Sequence, residues 1–354
     1  MDNKMKKLNK AACFTDVHFG AKSNSELHNQ DCIRFIDWFC QQVKKDNTVD
    51  HVVFLGDWHE TRSAVNVLTL KYSYQAAKKL NDLGIPVFFI IGNHDLFHRH
   101  TREVHSTIHF EEFSNFTVID RPILFDHIGK GTLMCPFMFD DEYAQLTEHL
   151  SVPVWFGHFE FKDFVVTGYN VKMLTGPDPV DFVGPKHIFC GHFHKRQTVK
   201  NIVYIGNTFP TTYADAGDSD RGMMIYDHPT DNTKYINWPD CPMYIKIKLS
   251  QLIDGTATIL HGARVRCEAD APITFEESNL LRQTFTERYH LREFTLEEAY
   301  DLTGVVTETL STVDVGDVKI DNIDELVTMM LNEIKSDQID NKLLIKTYKM
   351  IPSC

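Results

Sequence analysis

Nowhere in the chain do about 18 consecutive apolar residues occur, so no membrane-spanning helix is expected. Lys4, Lys6, Lys7 and Lys10 crowd the start, but only Ala11 to Phe14 follow before Asp16. That is too little for a signal-peptide core of roughly 7–15 apolar residues. Internal repeats and low-complexity tracts are absent, and so is the phosphate-binding pattern Gly-x-x-x-x-Gly-Lys-Ser/Thr, so any ATP-driven step must come from another chain. The eight cysteines, at 13, 32, 40, 135, 190, 241, 267 and 354, form no Cys-x-x-Cys pair. Several lie inside apolar runs and read as reduced, mostly buried thiols of a cytosolic protein. Positive charge is also scarce: 36 Lys and Arg against 49 Asp and Glu leave −13. Bulk charge therefore argues against nucleic-acid binding, although a local basic rim with bound cations can still neutralise phosphates.

What is present is a large apolar fraction, 43% of 354 residues, enough for a sizeable core and about two or three domains. Five apolar runs end alike. The last, His187-Ile-Phe-Cys190, runs into Gly191-His192-Phe193-His194, and two histidines at i and i+2 on extended backbone point the same way. Ala11–Thr15 delivers Asp16-Val17-His18, and His51–Leu55 ends in Gly56-Asp57. Pro86–Ile91 ends in Gly92-Asn93-His94-Asp95, and Val152–Phe156 in Gly157-His158.

Helix-length segments separate the early runs. One covers 29–45, another runs from about Ala64 to Leu83 with Gly84 and Pro86 as stop signals, and a third is expected near 101–113. Strands alternating with helices predict a largely parallel sheet covered on both faces, with ligands outside its carboxyl edge. Asp16, His18, Asp57, Asn93, His158, His192 and His194 would gather there. Seven oxygen and nitrogen donors without a thiolate exceed one tetrahedral zinc and suit two divalent ions, with Asp57 as the bridging carboxylate. His94 is then the spare imidazole, placed to act on the phosphate or its leaving oxygen.

The ordered set Asp16-x-His18, Gly56-Asp57, Gly92-Asn93-His94-Asp95, Gly157-His158 and Gly191-x-His194 resembles the five motifs of calcineurin-like metallophosphoesterases. Gly157-His158-Phe-Glu160, Tyr204-Ile205-Gly206-Asn207 and Asp220-Arg221-Gly222 narrow the resemblance to SbcD-type nucleases, nearest to the recombination endonuclease subunits of T-even-like phages. The resemblance implies an α/β (α+β) fold: a metallophosphoesterase β-sandwich with flanking helices, then a small α+β cap and a C-terminal helical pair. It implies one metal on Asp16, His18, Asp57 and His194, a second on Asp57, Asn93, His158 and His192, and His94 as the catalytic imidazole. Manganese is the expected ion, with magnesium as the alternative. Three residues after the bridging aspartate, where relatives have Asp or His, this chain has Glu60 preceded by His59; His59 is not expected to be a ligand.

The expected organisation is a nuclease domain over 1–240, a cap over 241–300, a linker over 301–318 and a helical partner-binding segment over 319–354. The break at 240 follows Pro239-Asp240-Cys241-Pro242. Beyond it, strands are expected at 244–249, 263–267 and 293–296 and a helix near 274–289. In the last segment Ile323, Leu326, Val327, Met330, Leu331 and Ile334 form an apolar stripe, which packs either on its own domain or on a partner. The resemblance makes that partner an SbcC-type coiled-coil ATPase and makes the chain a homodimer built on helix 64–83 with that near 101–113. Arg99, Arg102, Lys195 and Arg196 are the expected DNA contacts. The function expected is two-metal hydrolysis of DNA phosphodiesters in end processing, recombination and repair, in the cytoplasm (the host's, for a phage-encoded chain). The alternatives are a phosphoesterase acting on a small phosphoester or nucleotide, or a scaffold that kept the fold without the chemistry.

Overall fold

The computed structural model describes residues 6–166, 171–270 and 273–298. In chain order these form β1 (Lys10–Phe14), the helical turn α1 (Ala21–Asn24), α2 (Glu26–Lys45), β2 (His51–Phe54), α3 (Val67–Asn81), β3 (Val87–Ile90), β4 (Phe116–Ile119), β5 (Ile123–Phe125) and β6 (Thr132–Cys135). They continue with β7 (Val154–His158), β8 (His187–Gly191), β9 (Gln197–Val199), β10 (Ile202–Tyr204), β11 (Gly222–Asp227) and β12 (Asn232–Asn237). The last elements are β13 (Tyr244–Lys248), α4 (Leu249–Ile253), β14 (Arg264–Ala269), α5 (Phe275–Tyr289) and β15 (Glu293–Glu298).

Two six-stranded sheets stack on each other, in the orders β12-β11-β1-β2-β3-β4 and β5-β6-β7-β8-β10-β9. Strands β1 to β4 run parallel in the first, and β6, β7, β8 and β10 in the second. The period of two along each strand sorts its side chains between layers. Ala11, Cys13, Val53, Phe88 and Ile90 of the first sheet meet Val154, Phe156 and Phe189 of the second in a shared inner core. Phe14, Phe54 and Phe89 turn outward under α2 and α3, against Phe35, Phe39 and Leu80. Trp155, Ile188 and Cys190 face a third layer with Phe161 and Phe182.

The sandwich thus agrees with the fold that the motifs imply, and it corrects the single sheet drawn from strand–helix alternation. Three motif strands lie in one sheet and two in the other. Both arrangements bury a strand on both faces and give the same continuous apolar run, so the runs alone cannot distinguish them.

Helix α2 starts at Ser25, whose hydroxyl accepts from the His28 N–H. Asn66 caps α3 through the Leu68 N–H. The helix expected near 101–113 is instead a 3₁₀ turn at Ile108–Glu112. Before it the backbone doubles back, with Phe97 N–H donating to Val104 and Ser106 N–H to Asp95. Arg102 anchors that turn on the carbonyls of Asp120 and Phe137 and on Glu142.

After the Pro239–Pro242 stretch, β13-β14-β15 form an all-parallel sheet with its own core of Ile247, Val265, Cys267 and Phe294. The Thr274–Glu277 capping box starts α5. Of the seven described cysteines, six are buried and none is in a disulfide. No helix among the described residues is long and apolar enough to cross a membrane. The apolar stripe 323–334 and the linker 301–318 lie outside the described residues.

Candidate metal centre

The carboxyl ends of β1, β2 and β3 and of β7 and β8 meet at one edge of the sandwich. Asp16, His18, Asp57 and His192 there have left-handed backbone, with φ of 54, 52, 61 and 94. Such conformations cost about 1–3 kcal/mol each and persist only where the surroundings impose them. Glycine lets the strand ends close up: a Cβ on Gly56 would sit 2.2 Å from His158 Nδ1, and one on Gly92 2.2 Å from Asp57 Oδ1. Asp95 ties the turns together, its carboxylate accepting from the N–H groups of Asp57, Trp58, His59 and Gly92 at 3.0–3.1 Å. Burial, with the Asp57 charge behind it, raises the Asp95 carboxyl to about 6.

All seven expected ligands come together here. Three groups of carboxylate and imidazole atoms lie within 4.8 Å of one another: Asp16, His18 and His194; His18, Asp57 and His94; and Asp57, His158 and His192. Asp57 Oδ2 is 3.3 Å from His158 Nε2 and 3.8 Å from His18 Nε2, so it faces both halves. Asn93 Oδ1 lies 2.9 Å from His158 Nε2 and 3.0 Å from His192 Nδ1. His18 and His194 bring their Nε2 atoms within 3.2 Å.

The other ring nitrogens fix which atoms face inward. His158 Nδ1 donates to the Leu55 carbonyl at 2.7 Å, and His192 Nε2 to Glu160 Oε2 at 3.0 Å. His18 Nδ1 faces Glu60 Oε2 at 2.7 Å. When these rings are neutral, His158 Nε2, His192 Nδ1 and His18 Nε2 hold lone pairs. They converge with Asn93 Oδ1 and Asp57 Oδ2 on one shared space. That is an arrangement for cations, with an oxygen and nitrogen donor set.

The charges agree. Burial works to raise the Asp57 carboxyl, yet His158, with His94 and His18 beside it, outweighs that and holds Asp57 well below the usual range. Asp16 is lowered against its burial by the His18 hydrogen bond and the charges of His158 and His194. Burial lowers His158, but Asp57 and Asp16 prevail and raise it to about 9. Burial pulls His194 down to about 4. Two fully buried carboxylates thus demand positive charge between them, from protons or from metal ions.

His94 Nδ1 donates to the Glu60 carbonyl at 2.8 Å, leaving Nε2 for a bound group, and the Asp57 carboxylate accepts from the His94 backbone N–H. His59 belongs to the core: buried, its ring nitrogens lie 2.7 Å from Ser106 Oγ and 2.8 Å from Ser73 Oγ, and burial drops its pKa to about 3. Glu60, Glu160 and Asp95 carry no role in the sequence reading. Glu60 and Glu160 follow Asp57 and His158 by three and two residues, inside motifs that the sequence already marks.

The expected DNA contacts divide. Arg99 is exposed. Arg102 is largely buried and pairs with Glu142 over the Phe139 ring. Lys195 and Arg196 border an open groove of about 720 Å³ beside His192 and His194, which Thr212, Ser219 and Arg221 also line. Arg196 is half-buried, stacks on Tyr235 and donates to the Ile205 carbonyl.

A sandwich with an oxygen and nitrogen cation site at its strand ends defines a metallophosphoesterase, and residues 10–196 match the calcineurin-like phosphoesterase family. The chain belongs to that family, whose members use a dimetal centre. It is similar to exonuclease subunit 1 of Enterobacteria phage T4, 28% identical over 225 residues that cover 62% of this chain and 65% of the relative. A solved dimetal phosphatase from Danio rerio superposes with a TM-score of 0.42 at 9% identity, covering 63% of this chain and 93% of that one.

Proposed function

We propose that the chain is a two-metal DNA nuclease subunit that hydrolyses phosphodiester bonds. Asp16, His18, Asp57 and His194 would hold one divalent ion, and Asp57, Asn93, His158 and His192 the other; manganese is the ion we expect. Bound there, the pair of ions supplies charge to neutralise a phosphoryl group and acidity to the attacking water. The chain's own groups do the rest. Glu60 and Glu160 hold His18 and His192 in the tautomers that point lone pairs inward. His94, fixed through Nδ1, presents Nε2 to the phosphate or the leaving oxygen, the atom through which a proton would pass. The observation that carries this reading is the convergence of imidazoles from both halves of the site beside the one Asp57 carboxylate.

DNA as substrate, and a role in recombination and repair, rest on the similarity to a phage exonuclease subunit. The word subunit in that relative's name also favours a partner, for which an SbcC-type ATPase fits a chain with no phosphate loop. In this reading residues 241–300 cap the site, 301–318 link, and 319–354 hold the partner through the 323–334 stripe. Val67, Leu70 and Tyr74 stand exposed on α3 and favour a homodimer through that helix. Leu68 and Tyr72 are half-buried, so charges that test the dimer belong at Val67 and Leu70. The chain would work in the cytoplasm.

The test is hydrolysis of linear duplex DNA by the purified chain with manganese, set against a chromogenic phosphoester. Degradation of DNA supports the nuclease. Turnover of the small ester alone assigns the site to small phosphoesters.

A further inference from the structure

The backbone that carries Asp16 and His18 is held from behind by α2. His28 Nε2 donates to the His18 carbonyl at 2.9 Å, and Asn29 Oδ1 accepts from the Gly20 N–H at 2.9 Å. Cys32 Sγ reaches the Val17 carbonyl at 3.4 Å. All three side chains are buried. The stretch they hold is strained, with left-handed φ at Asp16, His18, Lys22, Ser23 and Asn24. Strain of this kind persists only while its surroundings impose it.

The same helix grips the third sheet. Asp31, buried, is ion-paired by Arg292 from the turn that leads into β15. Lys22, inside the strained stretch, lies 4.4 Å over the Tyr244 ring of β13. Next to it, Tyr213 packs edge-on against Tyr244 at 5.0 Å and reaches Glu293 at 3.3 Å.

We propose that the first two turns of α2 are a positioning element that couples the three-stranded sheet to the metal centre. His28, Asn29 and Cys32 are the positioning residues for the segment bearing Asp16 and His18, and the Arg292–Asp31 pair is the latch. The proposal rests on the metal-site reading above. Coupling of this kind is reciprocal, so a filled centre also tightens the latch, and a load on the third sheet alters the affinity of the centre. Asp31 has a second partner, Arg34 on its own helix at 3.3 Å. That pair separates two explanations: neutralising Asp31 alone, or joining it to the third sheet.

The experiment titrates the metal-free full chain with Mn2+ alone by calorimetry and follows hydrogen exchange of the 17–24 amides. Arg292→Ala should weaken Mn2+ binding about 10-fold, the lower end of what lost outer contacts cost a metal site. It should also speed exchange at 17–24. Arg292→Lys should recover part of both effects, and it serves as the comparison if Arg292→Ala fails to fold. Arg34→Ala should behave as wild type. A folded Arg292 variant with unchanged affinity and exchange overturns the coupling, and so does an Arg34→Ala chain that loses as much. A wild-type chain that binds no Mn2+ overturns the metal reading first and the coupling with it.

Discussion

The parallel strands carry histidine and aspartate at both ends, and the two ends differ in what those residues do. At the carboxyl ends, imidazoles and carboxylates from five strands aim their lone pairs at shared points. At the amino ends, His51 begins β2, His187 begins β8 and His228 follows β11. There each partnered ring faces one carboxylate of its own, His51 with Asp50 at 2.6 Å and His187 with Asp231 at 3.0 Å. His51 and His228 stack with ring centres 5.9 Å apart, and the Nε2 of each is buried without a partner. Among the described residues, the three-ligand groups all lie at the carboxyl ends. Residue type is the same at both ends; convergence separates a metal centre from a set of core histidines.

The sharpest break in this contrast is Asp57→Asn against Asp50→Asn. Losing the shared carboxylate should abolish or cripple Mn2+ binding in both halves of the centre, because one charge offsets two cations. Losing Asp50 should lower the melting temperature and leave Mn2+ binding unchanged. Next in size is His94→Gln, which should keep both ions while slowing turnover roughly 10²–10⁴-fold, the scale of a proton-transfer group. Metal loss as complete as in Asp57→Asn would make His94 a ligand instead. A smaller change is expected from Glu160→Gln, which keeps an acceptor for His192 but removes the charge. Its Mn2+ affinity should fall by about 10-fold with little change in thermal stability.

The amino end supplies the smallest effect, and it is one of pH. Burial lowers His228 to about 4 and also lowers His51, against the pull of Asp50. Their folded pKa values lie below the value near 6.5 of an unfolded chain, so acid protonates the unfolded chain first. Their contribution is therefore complete above about pH 6.5 and is lost as pH falls toward 4. Melting of the metal-loaded protein between pH 7 and 4.5 should show this decline, and His228→Phe should flatten it. An unchanged slope would place the acid sensitivity elsewhere.

Much of the centre was legible because its chemistry sits at the ends of apolar runs, marked by Gly56, Gly92, Gly157 and Gly191. Convergence of the ligands needs only that the ends share an edge, and that holds for one sheet or two. The second sheet was not legible, since a helix and a facing sheet bury a strand alike. The partners of Arg102 on Asp120, Phe137 and Glu142 were not legible either, since a basic loop after a motif shows only charge. His28 left no trace in the pattern: it acts on a backbone carbonyl, and nothing in a sequence marks that.

The most direct test is where Mn2+ sits in crystals of the protein, located by anomalous scattering. Two peaks per chain about 3.5–4 Å apart, with the Asp57 carboxylate between them, are the predicted result. A single peak, or peaks that do not share Asp57, would contradict a centre built on convergence from both sheets. Peaks at His51 and His228 would erase the distinction between the two ends.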